Sequence, residues 1–366
     1  MRIAYVINSL EGGGACAPIP GVARLFQANG HDVRIWALTL KDGRGLPTLR
    51  DAGLAVEICE GGEKDHLAAI RWLDRKVVEW QPDILWTSLT RATLLGQIVG
   101  QMHDIDVVSW QHNAYLKPAN TMLLRARRRR SILWVADSNC VAELTRRRLG
   151  IDPRHVATWP LFSADASAPQ AAPWRPGEPL RIGSLGRLHR AKGYDMLIAA
   201  LAMLRAGGFV PPVPLDIAIA GEGSQRAELE AAAAAAKIDE LRFVGFSEAQ
   251  SFLAGRHLYL QPSRAEGLCI AAHEAMQAAL PVLGSAVGEM PHTILPGRTG
   301  QIVPPADPRA LADAWRSMLR EPAALASMGA AARARVLDLF GGGAFERAGS
   351  AALAEISRIR AHRASA

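Results

Sequence analysis

Glu266 and Glu274, with seven residues between them, stand in the run PSRAEGLCIAAHEAMQAALPV. Carboxylates at that spacing around a helix start suit a ligand that is both hydroxylated and phosphorylated. A carboxylate accepts hydrogen bonds from hydroxyls. The first N–H groups of a helix lack internal partners and hold phosphate. A strand-like run, 257–261, precedes the pair. Glu266 then ends a loop, and Gly267 opens a segment expected to be helical over 268–279. Glu274 falls about two turns into that helix. One carboxylate is expected at the mouth of a cleft and the other on the helix that lines it. Acid, anion site and acid are equipment for a sugar nucleotide. A solvated loop and helix face would carry the same letters, so the neighbouring residues decide.

Several glycine-rich turns stand where strand-like runs end. Gly12, Gly13 and Gly14 follow the first run. They permit close backbone approach, but they form neither G-x-G-x-x-G nor a P-loop. In Gly186-Arg187-Leu188-His189-Arg190-Ala191-Lys192-Gly193, Arg187 and Lys192 bracket a turn into a helix. A planar guanidinium and a point-charge ammonium suit a diphosphate leaving group. Gly221, Glu222 and Gly223 end another strand, and Val244 ends the next; here a nucleobase and ribose would lie against backbone. His112, in Ser109-Trp110-Gln111-His112-Asn113, is placed to bond a sugar hydroxyl. Asp104 and Asp106 form a D-x-D pattern of the kind that holds a divalent metal. They precede a strand, so we read them as a turn rather than a metal site.

These residues need a scaffold of alternating strand and helix. Strand-like runs occur at 2–8, 32–38, 55–58, 83–87, 106–110 and 132–136. They recur at 180–185, 215–220, 241–244, 257–261 and 281–284, and helical patterns separate most of them. Alternation of this kind implies parallel sheets covered on both faces. The fold class is therefore α/β, with two doubly wound Rossmann-like domains facing a central cleft. Residues 1–160 form the first domain and 180–340 the second. The Pro/Ala/Ser-rich 161–179 reads as a linker. Residues 308–359 read as helical, with 341–366 expected to pack back on the first domain.

Composition sets the class. With 366 residues, 49% hydrophobic and 21% charged, the chain is globular rather than disordered. Four scattered cysteines show no zinc or redox spacing. A signal peptide and a membrane span are both missing from the pattern, so a cytoplasmic protein is expected. Nine Lys/Arg against two acids lie between Lys117 and Arg148, and this stretch alone equals the chain's net charge of +7. Such a patch attracts anionic membrane, nucleic acid or an anionic substrate. Leu123, Leu124, Ile132 and Leu133 beside it would help a peripheral contact with the membrane.

Taken in order, these pieces resemble the family-4 retaining glycosyltransferases, which have the GT-B fold. The resemblance is strongest in GRLHRAKGYDMLIAAL, IAGEGSQRAELE, RFVGF, the Glu266/Glu274 run and GRTGQIVPPAD. It implies that Arg187 and Lys192 bind the donor diphosphate, completed by backbone at Gly267, Leu268, Cys269 and Ile270. Glu266 would contact the transferred sugar and Glu274 the ribose. His112 would reach the sugar from the first domain, while Gly13 and Gly14 approach donor and acceptor. Metal independence and an absence of cofactors are implied too. Three features depart from the pattern. Trp159-Pro160-Leu161-Phe162 stands where Pro-Asn-Gly is usual, Ala279 where Gly is usual, and His292 where Glu is common.

The implied function is transfer of a hexosyl unit from a nucleotide-diphosphate sugar to a saccharide or lipid-linked acceptor, with retention, in surface polysaccharide or lipopolysaccharide biosynthesis. The donor nucleotide and sugar stay open. A sugar-nucleotide epimerase or hydrolase of the same shape is the alternative enzyme. A basic membrane or nucleic-acid binding module is the alternative without catalysis; no nucleic-acid motif or aromatic platform supports nucleic acid as a partner.

Overall fold

The computed structural model describes residues 1–112 and 116–365. Asn113, the last residue of the His112 motif, lies outside the described residues. The chain forms two compact units, Met1–Leu161 with Gly343–Ala366, and Phe162–Gly342.

The first unit is built on strands β1 (Arg2–Ile7), β2 (Asp32–Ala37), β3 (Ala55–Ile58), β4 (Ile84–Ser88), β5 (Asp106–Gln111), β6 (Leu133–Ala136) and β7 (Val156–Thr158). They pair in parallel in the order β3-β2-β1-β4-β5-β6-β7. The second unit uses β8 (Leu180–Leu185), β9 (Leu215–Ala220), β10 (Leu241–Gly245), β11 (Leu258–Gln261), β12 (Val282–Ser285) and β13 (Gly300–Val303). Their order is β10-β9-β8-β11-β12-β13, again all parallel. Strands β4, β6, β11 and β12 are buried along their whole length. That explains their largely apolar character, because helices cover both faces of a parallel sheet.

Two edge strands, β7 and β13, escape the sequence pattern. VAT and GQIV are short and half-polar, and each is recruited only by its neighbour, β6 and β12 respectively. The helical stretch expected over 308–359 is three helices, Pro308–Leu319, Ala324–Phe340 and Ala344–Ala364. Pro322 lies in the first break. Gly341-Gly342-Gly343 forms the second, with Gly342 and Gly343 at φ 55° and 77°.

The last helix belongs to the first unit. A Cβ on Gly349 would come within 2.5 Å of the Trp159 ring, so only glycine lets the helix lie this close. Trp159 is fully buried, stacked on Trp110 at 4.7 Å and packed against Trp86 and Phe345. At the amino end of β5, Asp106 pairs with Arg360 at 3.1 Å and Arg363 at 2.9 Å. The D-x-D pattern is thus spent on seating this helix and on the positive-φ turn at Asp104.

Residues 162–179, read as a linker from composition, pack on the second unit instead. Phe162 is buried against Phe340 and His273. Ala164 N donates to Phe340 O at 2.9 Å, and Ala171 N to Ala278 O at 2.8 Å. Low-complexity composition hides these contacts, because their donors are backbone groups that any residue carries.

Ala279 takes φ 60°, a left-handed conformation that disfavours a side chain. The Cβ there stores strain of about 1 kcal/mol. Ala279→Gly removes that strain at a smaller cost in unfolded-chain entropy, so the unfolding free energy read from urea denaturation should rise by less than about 1 kcal/mol. A fall by the full entropy cost of the added glycine, about 0.4–1 kcal/mol, would show that the turn is not strained.

Candidate functional site

Strand order in the second unit reverses between β8 and β11. In open α/β sheets, ligands bind beyond the carboxyl ends of strands at such a point. The loop 186–193 leaves β8, and the loop 262–269 leaves β11. Their backbones are pressed together. Gly193 sits at φ 69°, and a Cβ there would lie 2.0 Å from the Pro262 carbonyl oxygen. Arg264 N donates to Ala191 O at 2.8 Å. The Arg264 guanidinium grips both oxygens of Asp195 at 2.6 Å, tying the second loop to the helix Tyr194–Ala206.

Inside this clamp, Lys192 Nζ donates to Glu266 Oε1 at 2.7 Å. Ser263 Oγ at 2.6 Å and Gln261 Nε2 at 3.1 Å donate to the same oxygen. The Tyr259 hydroxyl donates to Gln261 Oε1 at 2.8 Å, which turns the amide nitrogen toward Glu266. Glu266 is buried, at 8% exposure. Burial alone would lower the Lys192 pKa, but the Glu266 carboxylate overrides it and carries the ammonium above its ordinary value. The Lys192 stem runs along Gly186, where a Cβ would meet its Cε at 3.3 Å.

A third loop supports the second. Glu289 N donates to Gly267 O at 3.0 Å. Leu268 is buried in the core, so its backbone is the part that can meet a ligand. Cys269 has φ 65°, and burial first, then the Glu266 carboxylate, pushes its thiol far above the ordinary range. It directly precedes the helix Ile270–Gln277, which no side chain caps. An uncapped start leaves its N–H groups for an anion.

Glu274 lies a little over one turn into this helix, because the helix begins two residues later than the periodicity predicts. No hydrogen bond or ion pair reaches its carboxylate among the described residues. Burial, and then the Glu248 carboxylate, raise its pKa from the ordinary 4.5 to about 7.

Arg187 is exposed beside Gly186. Gly221 and Gly223 follow β9, with Glu222 between them, and Leu188 N donates to Glu222 O at 2.8 Å. A Cβ on Gly221 would sit 2.0 Å from Gly186 O, and one on Gly223 2.3 Å from Leu188 O. The space these glycines leave is filled by the chain's own 186–188 backbone rather than left open for a nucleoside. Val244 is exposed on β10, where a bulge shifts the register between Phe243 and Gly245.

The remaining candidates belong to the first unit. Gly13 and Gly14 are exposed in the loop after β1. His112 follows β5, and its Nε2 lies 2.7 Å from Ser88 Oγ at the end of β4. Burial holds the imidazole neutral, with its pKa lowered to about 3. Of the four apolar residues beside the basic stretch, Leu124, Ile132 and Leu133 are buried in the core. Only Leu123 is exposed, joined by Met122. Arg127 and Arg128 are partly structural as well, bonding Gln97 O at 3.0 Å and Gly150 O at 3.1 Å.

Sequence reasoning missed Ser88, Gln261, Ser263 and the Asp195–Arg264 pair. Ser88 and the Asp195–Arg264 pair meet their partners through sheet order, while Gln261 and Ser263 reach Glu266 within one irregular loop that has no period to read. Within the chain, Lys192 and Glu266 are 74 residues apart.

Residues 21–162 match the family model described as Glycosyltransferase Family 4, and residues 170–335 the one described as Glycosyl transferases group 1. The chain belongs to the family-4 GT-B glycosyltransferases. Among solved structures, an Anabaena HepE complex with UDP and glucose has a TM-score of 0.82 at 17% identity, over 97% of this chain and 99% of that one. A glycogen synthase of Mycobacterium tuberculosis is 35% identical over 204 residues, 55% of this chain and 45% of that protein. A GDP-mannose-dependent phosphatidylinositol monomannoside mannosyltransferase of Mycolicibacterium smegmatis is 32% identical over 200 residues, 52% of this chain and 50% of that one. The chain thus spans about half the length of these curated relatives. No helix among the described residues is long and apolar enough to cross a membrane.

The raised Glu274 pKa has a defined consequence for stability. Between pH 4.5 and about 7 the folded state binds the extra proton, so rising pH favours unfolding. The contribution of the protonated Glu274 is complete below 4.5 and lost as pH passes about 7. Unfolding midpoints of wild type and Glu274→Gln, measured across this window, should diverge, with wild type falling relative to the variant. Parallel curves would show that Glu274 ionises normally.

Proposed function

We propose that this protein is a metal-independent, retaining hexosyltransferase. It moves a hexosyl unit from a nucleotide-diphosphate sugar to a saccharide or lipid-linked acceptor. The reading rests on family membership and, above all, on the Lys192–Glu266 contact at the point where the second sheet's strand order reverses. Three hydrogen bonds arrive at Glu266 Oε1, which leaves Oε2 as the acceptor for a hydroxyl of the transferred sugar. Lys192 has three N–H donors. One is engaged by Glu266, and the others serve the donor diphosphate together with Arg187 and the uncapped helix start at Ile270. Glu274, with no hydrogen-bond or ion-pair partner among the described residues, accepts from the ribose. The neutral His112 meets a sugar hydroxyl.

In this arrangement Glu266 is a fixed electrostatic stabiliser of an oxocarbenium-like transition state, not a nucleophile. Its charge is balanced by Lys192, which weakens nucleophilicity while keeping the carboxylate in place. The acceptor hydroxyl attacks the anomeric carbon on the face from which the nucleotide departs, and the β-phosphate takes its proton. Glu266→Gln keeps the shape of the site and should lower transfer at least ~100-fold with the fold intact. Turnover close to wild type would end this assignment.

The relatives name different donors, so a thermal-shift screen over nucleotide sugars is the direct route to this one; a bound donor raises the midpoint by mass action. A product in surface polysaccharide or lipopolysaccharide fits an acceptor held at a membrane. Met122 and Leu123, exposed beside Arg125 on the helix Pro118–Arg127, form the surface that would approach it. Met122→Glu with Leu123→Glu should release the protein from sedimenting phosphatidylglycerol vesicles. Undiminished co-sedimentation would place the membrane contact elsewhere.

A further inference from the structure

The first unit carries a cavity that no step of the proposed transfer uses. Its volume is about 730 Å³, within the range of small-molecule sites. The turn 128–130, the loop 150–155 leading into β7, and the end of the C-terminal helix form its walls. These segments precede β6 and β7, so the cavity lies at the amino ends of the strands. His112 and the Gly13 loop follow carboxyl ends instead. The two places are on opposite edges of the same sheet.

Arg128, Arg129, Arg154, Arg358 and Arg363 line this cavity, with His155 and His362. Asp152 is the one carboxylate in the lining among the described residues. Some of the charge is balanced. Arg154 pairs with Asp152 at 2.8 Å, Arg358 with Glu355 at 2.6 Å, and Arg363 with Asp106 at 2.9 Å. Arg128 and Arg129 have no carboxylate partner among the described residues. The Arg128 guanidinium is instead held in place by the carbonyls of Gly150 at 3.1 Å and Arg125 at 2.8 Å. Hydrogen bonds to carbonyls orient a guanidinium without neutralising it. Arg358 also sits close enough to Arg154 to oppose its charge.

Guanidinium groups gathered from three separate segments repel one another unless an anion stands between them. The planar fork of arginine fits phosphate oxygens two at a time. Half-buried Ile151 and Ile359 provide an apolar side to the same space, and its volume exceeds that of a bare phosphate. We propose that this cavity binds a phosphate-bearing ligand, a phosphate ester or diphosphate, at a site separate from the donor site. Because the walls include the C-terminal helix, an occupied cavity also fastens that helix to the first unit.

Hydrogen exchange of the full chain tests this region by region. Inorganic pyrophosphate should slow amide exchange in 128–155 and 344–363. Arg129→Glu with Arg154→Glu, both at exposed positions, should weaken that effect at least ~10-fold in pyrophosphate concentration. Circular dichroism and the unfolding midpoint should not change. Loss of one charge-assisted contact from the 186–193 loop, by Arg187→Ala, should leave the cavity effect intact, which separates the two anion sites. A second arm uses phosphatidylglycerol vesicles against phosphatidylcholine vesicles. Slowing by pyrophosphate identifies a soluble phosphate ligand; slowing only by phosphatidylglycerol identifies a lipid headgroup. No slowing in either arm, or equal slowing in the double variant, overturns the proposal.

Discussion

A half-buried ammonium and a buried carboxylate, Lys192 and Glu266, meet at 2.7 Å across the ends of two adjacent strands. Removing charges from water is expensive, and an ion pair offsets that loss only when its geometry is good and its remaining polar atoms are bonded. Here the surroundings meet the condition. Ser263 and Gln261 add hydrogen bonds to the same oxygen, and Tyr259 fixes the orientation of Gln261. The ion pair and these hydrogen bonds tie the two loops together across the strand ends. Gly193 against Pro262 and Arg264 against Asp195 are the backbone and side-chain contacts that keep the two ends at this distance.

The two glutamates of one short run have come to opposite conditions. Glu266 is surrounded by donors, and its carboxylate is fully engaged on one side. Glu274 is half-buried with no donor among the described residues, and its pKa rises to about 7. A carboxylate left in that state gains most from a ligand that brings its own hydroxyls. The same contrast explains why a paired-carboxylate reading would mislead. The residues share a type and a neighbourhood in sequence, yet one is balanced by a cation and the other waits for a partner.

In the first unit, charge is used in two ways. Arg360 and Arg363 seat the C-terminal helix on Asp106, while Arg127 and Arg128 cap carbonyls of their own unit. Part of the basic stretch is therefore architecture. Arg129, by contrast, makes no hydrogen bond or ion pair among the described residues and stands beside the cavity at the amino ends of the strands. Counting charges along the chain could not separate these cases, because the distinction lies in what each guanidinium touches.

Local spacing determined a good deal. The alternation of apolar runs and amphipathic stretches placed eleven of the strands and most helices, since a strand's period of two and a helix's of 3.6 are properties of neighbouring residues. Glycine turns and the Glu266 run were legible for the same reason. The short edge strands β7 and β13 were not, because only a neighbouring strand makes them strands. Nor were the breaks within 308–359, where the helical pattern continues past Pro322 and the glycine trio. Burial of Leu124, Ile132 and Leu133 beneath a charged surface was likewise decided by packing. The site itself shows the division most sharply. Sequence named Lys192 and Glu266 separately. That they touch follows from β8 and β11 being neighbours in the sheet, a relation between segments 74 residues apart that no local period encodes.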